Sequence, residues 1–402
     1  MENTQPPLSS GMPGGGRVWH QVELADDERR RLHGEGHCRM PQRIEAGGAV
    51  DVEFTFKIGE TEIPKGGKLR VAWRWPFDWV APEKISVQSV GAELAAIFQL
   101  KGDLNPWHHH IEIEVLEGTL RTGNRVELSC NGWPVPTFAT QSAFFLMIIN
   151  PGGGSDWIRL LDPQRYEIAP ADPVRMVVIA EAEAGVGEMV QVRVRGEDRW
   201  GNPAPLVEVP VLEGGEVEAV ADDNDWYAYL FRVRWDTPGV HRLRATSGIL
   251  QTESNPVRIR VERPERRLFW GDLHAGQTEI GCGADSLERH FSYARHAAGL
   301  QFASQQANDH YVTREIWQLV REVSHACDAP GDFVCYLGCE WSPFTEDGGD
   351  RNVIYRDDEE RIRRSDRFFT EREPDPEPDL KRAPEFLAAL RDEEVLLNLH
   401  VG

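Results

Sequence analysis

Leu268-Phe269-Trp270-Gly271-Asp272-Leu273-His274 is the stretch of sequence that decides the fold prediction for the C-terminal third of the chain. Apolar residues follow it at Leu287, Phe291, Ala294 and Ala298, which is a helical period, and Gly299 closes that segment. Asp285 and Glu288 are spaced as a capping box at its start. A buried strand, a loop and a helix form the opening unit of a βα fold. In such folds the functional groups lie at the carboxyl ends of the strands, so we expect Asp272 and His274 to lie at a site.

The same alternation continues to the end of the chain. Thr313 is placed to cap a second amphipathic helix that contains Ile316 and Val320. Apolar runs between the helices predict four further strands: 300–304, 333–338, 352–355 and 395–399. Strands that alternate with helices are typical of a parallel sheet or barrel. The charge-dense segment 356–382 predicts an exposed loop.

The preceding part of the chain has a period of two. Residues 52–58, 69–73 and 111–115 alternate apolar and polar side chains, as do 190–194 and 230–235. We therefore predict a disordered tail over 1–25, a β-sandwich over 26–170 and an immunoglobulin-like β-sandwich over 171–263. The α/β region then occupies 264–402.

Composition limits the partners. The 402 residues include 44 Lys and Arg against 66 Asp and Glu, for a net charge of −22. This balance argues against nucleic acid and against an anionic membrane, because no basic surface is available to neutralise phosphates. Residues 1–16 lack the apolar core of a signal peptide, and the six cysteines predict reduced thiols. We expect a cytoplasmic protein; the oligomeric state stays open.

Polar side chains recur where the predicted strands of the C-terminal region end. A metal or phosphate site is the interpretation we favour for the set, although Glu340 alone would also suit a solvated loop and His400 a frayed end. The residues are Asp272, His274, Gln277, Gln305, Gln306, Asn308, Asp309, His310, Glu340, Asp350, Arg351, Asn352 and His400. His108-His109-His110 is a separate candidate, for a metal site or for the polar start of a strand.

Four motifs in this order resemble the PHP (polymerase and histidinol phosphatase) superfamily of metal-dependent phosphoesterases. They are Phe269-Trp270-Gly271-Asp272-Leu273-His274, Gly299-Leu300-Gln301-Phe302-Ala303-Ser304, Leu337-Gly338-Cys339-Glu340-Trp341-Ser342 and Asn398-Leu399-His400. The resemblance covers residues 266–402 and is nearest to an uncharacterised branch with β domains ahead of the catalytic part. It implies a distorted (β/α)7 barrel that holds up to three divalent ions, Zn, Mn or Fe. The expected fold is thus multidomain α/β plus all-β, with two β-sandwiches followed by a partial barrel.

The resemblance also implies roles for individual residues. His274, Glu340 and His400 match metal ligands, with Asp272 supporting them in the metal site. Asp309 is the residue kept from the family's second motif, and we predict it as a catalytic residue together with Arg351, which replaces a family ligand and would clamp an anion. Gln277, Asn308 and Asn352 are predicted as substrate-binding residues. The implied reaction is hydrolysis of a small phosphorylated molecule by metal-activated water.

Several family positions differ in this sequence. Gly276 stands where the family has a second histidine, and Arg351 stands near another expected histidine. The C-terminal region is also shorter than the roughly 250 residues of a complete barrel. We therefore expect a fragment with an incomplete site and little turnover. The alternative is a non-catalytic protein that binds a metal or an anion at a degenerate site.

Overall fold

The structure of the protein is a computed structural model, and it is mostly β, with 45% of residues in strands and 12% in helices. It describes residues 17–19, 24–74, 76–102, 104, 107–154, 156–160, 164–221, 224–274, 278–281, 283–343, 349–357, 361–366 and 378–400. The sheets fall into three successive groups along the chain. No helix among the described residues is long and apolar enough to cross a membrane.

The first group contains fourteen strands and one helix. A seven-stranded sheet has the order β1-β13-β12-β6-β9-β5, with β8 also paired to β9. A four-stranded sheet, β2-β4-β10-β7, and a three-stranded sheet, β11-β14-β3, complete the group. The elements are β1 (Arg17–Trp19), α1 (Asp26–His33), β2 (Gly34–Arg39), β3 (Arg43–Glu45), β4 (Ala49–Ile58), β5 (Ile63–Pro64), β6 (Lys68–Trp73), β7 (Lys84–Ser89), β8 (Ala92–Gln99), β9 (His109–Leu120), β10 (Arg125–Pro134), β11 (Thr140–Ala143), β12 (Leu146–Asn150), β13 (Asp156–Arg159) and β14 (Tyr166–Ala169).

Aromatic side chains fill the core of this group. The alternation predicted over 52–58 is confirmed by β4, whose even-numbered side chains are all buried. Trp133 is completely buried; its ring stacks on Phe145 and meets Trp73 edge to face. Its indole N–H donates to the carbonyl of Val80 at 2.6 Å, so the one polar atom of the side chain is satisfied.

The second group has eleven strands around a smaller aliphatic core. Its five-stranded sheet has the order β15-β17-β21-β20, with β18 paired to β17. Two three-stranded sheets, β16-β25-β22 and β19-β23-β24, complete it. The strands are β15 (Arg175–Ala180), β16 (Glu183–Gly185), β17 (Val190–Glu197), β18 (Pro203–Ala204), β19 (Val211–Glu213), β20 (Glu216–Val220), β21 (Ala228–Arg234), β22 (Gly239–His241), β23 (Arg244–Ser247), β24 (Leu250–Glu253) and β25 (Val257–Arg260).

The C-terminal group combines two small sheets with three helices. The elements are β26 (Gly271–Asp272), α2 (Leu287–Ser292), a π-helical turn (Tyr293–Ala297), β27 (Phe302–Ser304), a 3₁₀ turn (Asp309–Tyr311), α3 (Arg314–Cys327), β28 (Val334–Tyr336), β29 (Gly338–Trp341), β30 (Arg351–Tyr355), α4 (Ala383–Ala389) and β31 (Val395–Leu399). Thr313 caps α3 through its side chain, as predicted. The predicted cap of α2 is wrong: Ser286 accepts the hydrogen bond from the N–H of Arg289, and Asp285 lies outside the helix with φ +61°.

The predicted (β/α)7 barrel, and with it the predicted fold class, is wrong. β26, β27 and β28 form a parallel sheet, but β29, β30 and β31 form a separate antiparallel one. A parallel connection needs roughly a dozen residues or more, and the segment between Trp341 and Arg351 is shorter than that. The described residues of the C-terminal group therefore form two open three-stranded sheets. The apolar runs predicted strands but did not determine the direction of each strand.

Candidate metal-binding site

The antiparallel sheet brings residues from three parts of the sequence to one end. Glu340 on β29 lies opposite Asn352 on β30. Arg351 on β30 lies opposite Leu399 on β31, so the residues just outside the pairing, Asp350 and His400, are neighbours. The N–H of His400 donates to the carbonyl of Asp350 at 2.9 Å, which holds the two backbones together. Register therefore places a carboxylate and an imidazole beside Glu340.

His274 reaches the same place from the parallel sheet. It lies two residues after the end of β26, and the Oδ1 of Asp272 accepts a hydrogen bond from its backbone N–H at 2.8 Å. This bond turns the chain at the end of the strand and fixes the start of the His274 side chain. Asp272 thus positions His274 through the backbone.

Three side chains converge at this point. One ring nitrogen from each of His274 and His400 and one oxygen of Glu340 all lie within 4.8 Å of one another. The Nδ1 of His274 is 3.8 Å from the Oε2 of Glu340, and the two imidazole rings are 4.4 Å apart between centroids. Two imidazoles and a carboxylate are a common donor set for zinc and related divalent metals.

The two histidines carry nitrogen atoms without partners. The Nδ1 atoms of His274 and His400 are both buried and have no hydrogen-bond partner among the described residues. Burial, followed by the neighbouring His400, lowers the pKa of His274, so its imidazole is neutral near pH 7 and keeps a free lone pair. Buried polar atoms without partners are uncommon and call for an explanation, which a bound ion would supply.

One oxygen of Glu340 is held by two neighbouring side chains. Its Oε1 accepts from the Nδ2 of Asn308 at 2.7 Å and from the hydroxyl of Ser342 at 3.2 Å. These bonds leave Oε2 directed toward His274. The side chain is only 4% exposed, and burial together with the nearby carboxylate of Asp350 raises the pKa of Glu340 to about 7. The site therefore holds an electrostatic strain that a cation would relieve.

Asp350 is a further member of this cluster. One of its carboxylate oxygens lies 3.9 Å from the Nδ1 of His400, and its charge acts on Glu340. The sequence analysis placed Asp350 among the polar residues ahead of the fourth predicted strand but gave it no role in the site. Asp350 is placed to act as a fourth ligand or to orient His400.

The residues present fit a divalent ion. Ligand atoms bound to one zinc ion lie roughly 3 to 4 Å apart, because each is about 2.0–2.2 Å from the metal. The distance of 3.8 Å between the Nδ1 of His274 and the Oε2 of Glu340 lies in this range, and the three ligand atoms all lie within 4.8 Å of one another. Small side-chain rotations would bring all three onto one ion. The unpartnered nitrogens, the anchored carboxylate and the second carboxylate all agree with this use.

Other predicted site residues lie elsewhere or have other partners. Asp309 is completely buried and accepts hydrogen bonds from the N–H of Ser342 and from both the N–H and the hydroxyl of Ser365. Arg351 lies opposite Trp341 in the sheet, and its guanidinium donates to the carbonyl of Gly349.

Strand alternation therefore places Arg351 on the face opposite Glu340, whereas Asn352 shares the face of Glu340. Gln277 is outside the described residues. Among the described residues, the cluster of His274, Glu340 and His400 is the one whose donor atoms converge.

The three consecutive histidines do not form such a cluster in the part of the chain that the structure describes. β9 begins at His109, and the ring of His110 is hydrogen-bonded to the carbonyl of His108 at 3.1 Å. The ring of His109 packs edge to face against Trp73. This run thus starts a strand and packs against the aromatic core.

Comparison with known proteins yields one family profile. Residues 282–396 match the family described as "Protein of unknown function (DUF3604)". This segment contains Glu340 and Asp350 but covers less than half of the chain. No curated protein matches.

The similar solved structures include bacterial surface proteins. InvD of Yersinia pseudotuberculosis is 13% identical, with a TM-score of 0.27; the alignment covers 58% of this chain and 61% of InvD, so less than two thirds of that protein is spanned. The adhesin InvE of Y. pseudotuberculosis is 14% identical, with a TM-score of 0.18 and coverage of 56% and 59%. Invasin, a bacterial integrin-binding protein, is 9% identical, with a TM-score of 0.25 and coverage of 56% and 40%. TM-scores this low carry no argument about this chain.

The family and functional predictions need correction. The family profile that matches this chain is one of unknown function and not a PHP profile, so the assignment to the PHP superfamily is wrong. The predicted metal-dependent phosphoesterase is wrong with it, and no barrel is present among the described residues to carry that chemistry. Polar residues at strand ends occur in many βα arrangements, so short motifs of this kind did not specify a reaction.

Proposed function

We propose that this protein is a divalent-metal-binding protein in which His274, Glu340 and His400 hold one ion. Two buried imidazole nitrogens without hydrogen-bond partners, one of them 3.8 Å from the Oε2 of Glu340, are the observation that carries the proposal. Zn²⁺ suits this set best, because it accepts imidazole nitrogen and carboxylate oxygen in low coordination numbers. The proposed role is binding, with Asp350 completing or orienting the ligand set.

Charge supports a cation at this position. Glu340 and Asp350 bring two carboxyl groups together, and Glu340 has no arginine or lysine as an ion-pair partner among the described residues. A buried carboxylate without a compensating charge is costly. A divalent ion would pair with both carboxylates and accept a lone pair from one ring nitrogen of each imidazole.

The test is a zinc titration of purified protein that has been stripped of metal with a chelator and dialysed. Competition with a chromophoric chelator gives the affinity and the number of ions bound. We expect one tight site per chain in the unmodified protein. Glu340→Gln, which keeps the shape of the side chain, should weaken that site at least about 100-fold, since removing a mere supporting residue already costs 10- to 100-fold.

Matched controls separate this site from loose binding elsewhere. Glu127→Gln removes an exposed carboxylate on β10, and His37→Ala removes an exposed imidazole on β2. Both should leave the tight site unchanged. A tight site that survives Glu340→Gln and His274→Ala would overturn the proposal, as would the absence of any tight site in the unmodified protein.

A further inference from the structure

A cavity lies between the second group of sheets and the C-terminal group. Its volume is about 660 Å³, within the range of roughly 300–1,000 Å³ that is typical of small-molecule sites. None of the three proposed metal ligands lines it. Apolar residues supply much of the lining: Ile179, Pro256, Leu268, Ala298 and Leu300.

Hydrogen bonds across the cavity hold its walls in place. The side-chain amide of Gln191, on β17, donates to one oxygen of Asp332 at 2.9 Å. The guanidinium of Arg295 donates to the other oxygen of Asp332, also at 2.9 Å. Although burial opposes it, these bonds and the charge of Arg193 lower the pKa of Asp332. Asp332 thus pairs with Arg295, and Arg258, a further arginine of the lining, lies 4.0 Å from a carboxylate oxygen of Glu183.

Trp270 provides an aromatic surface at the cavity. The residue is 59% exposed, and two hydrogen bonds hold its backbone. The N–H of Trp270 donates to the side chain of Gln301 at 3.0 Å, and its carbonyl accepts from the N–H of Gln301 at 2.8 Å. Val240, 66% exposed, lines the same cavity. An exposed indole on an anchored backbone offers a flat surface to an apolar or cationic group.

Glu181 is an acidic residue of the cavity lining that has no ion-pair partner among the described residues. One of its oxygens accepts a long bond, 3.3 Å, from the N–H of Gln191, and the residue makes no ion pair within the described part of the chain. Burial raises the pKa of Glu181, and the charges of Glu188 and Asp332 act in the same direction, against Arg267. A positively charged group that entered the cavity would restore the balance at this carboxyl.

We propose that this cavity binds a small organic ammonium ion with an apolar body. The ammonium group pairs with the carboxylate of Glu181, and the apolar body packs against Trp270 and the aliphatic wall. The net charge of −22 also favours the approach of cations. This site is independent of the proposed metal site.

The probe is 2-phenylethylammonium, with 2-phenylethanol as the neutral analogue of the same length and 3-phenylpropionate as the anion. Isothermal titration of the full chain measures all three. We expect the ammonium to bind at least about tenfold more tightly than the alcohol, the free energy of roughly one charge-assisted hydrogen bond. The carboxylate should show no binding.

Two variants assign the contacts. Glu181→Gln should remove the preference for the ammonium while retaining the alcohol, and Trp270→Ala should weaken both. Glu127→Gln, far from the cavity on β10, should change nothing, and circular dichroism checks that each variant is folded. Equal binding of ammonium and alcohol by the unmodified protein overturns the proposal. An unchanged preference in Glu181→Gln, or no binding of the ammonium at millimolar concentration, does so as well.

Discussion

The core of the first β group and the interior around the metal site bury opposite kinds of side chain. Trp73, Trp79 and Trp133 are completely buried in the first, where aromatic rings contact one another. Around the metal site, Glu340 and Asn352 are at most 3% exposed, although both are polar. Burial of apolar surface stabilises a fold, whereas burial of polar groups costs free energy unless each one finds a partner. The first interior therefore stabilises the fold, whereas the second carries the polar groups of the proposed metal site.

The largest effect that would sharpen this contrast is expected in the aromatic core. Trp133→Ala should lower the free energy of unfolding by about 3–5 kcal/mol, because it removes a large buried ring and leaves a cavity. Chemical denaturation measures the loss. Val90→Ala, at a residue 81% exposed, is the control and should change the stability by less than about 0.5 kcal/mol. The zinc affinity of folded Trp133→Ala should equal that of the unmodified protein; a large drop would show that the two interiors are coupled.

A smaller effect is expected from the residue that anchors Glu340. Asn308→Ala removes the donor at 2.7 Å from Oε1, so the carboxylate loses its fixed orientation. We expect zinc affinity to fall about 10- to 100-fold, which is the usual cost of losing such a supporting hydrogen bond. Competition with a chromophoric chelator measures it. If Asn308→Ala binds zinc as tightly as the unmodified protein, Asn308 does not orient a ligand.

The smallest effect has the opposite sign from the first. In metal-free protein at pH 8, Glu340→Gln should raise the free energy of unfolding by on the order of 1 kcal/mol, because a buried carboxylate beside Asp350 is removed. The pKa of Glu340 is raised to about 7, so the folded state binds the proton more strongly than the unfolded state does. Its contribution to stability is therefore full at acid pH and is lost as the pH rises through 7.

Denaturation of metal-free protein at pH 5 and pH 8 tests this reasoning. The unmodified protein should lose more stability between these values than Glu340→Gln does. Glu127→Gln, at an exposed carboxylate, should follow the unmodified protein. A Glu340→Gln variant that is less stable at pH 8 would mean that Glu340 contributes to the metal-free fold, against the contrast between the two interiors.

The sequence predicted the parts of the fold that depend on local pattern. Alternating side chains predicted β4, and Thr313 predicted the start of α3. Strand direction does not depend on local pattern, so the antiparallel pairing of β29 with β30 was missed. Asp350 was noted beside the fourth predicted strand but given no role for the same reason, since the antiparallel pairing of β30 with β31 is what brings it beside His400.

Tertiary contacts also override composition in the charge-dense segment 356–382. An exposed loop was predicted there, yet Arg364 and Ser365 are buried. The guanidinium of Arg364 donates to the carbonyl of Val312, and Ser365 donates to Asp309. The charge of the surrounding residues gave no sign of this, because the partners lie more than fifty positions away in the sequence.

Anomalous X-ray diffraction at the zinc edge, on crystals of the metal-stripped protein reloaded with one equivalent of zinc, tests the central claim most directly. We predict one strong anomalous peak bonded to His274, Glu340 and His400. Each protein–metal distance should be about 2.0–2.2 Å. A zinc peak at His108–His110 instead would contradict the account. So would a fully occupied zinc peak at any other position with none beside Glu340.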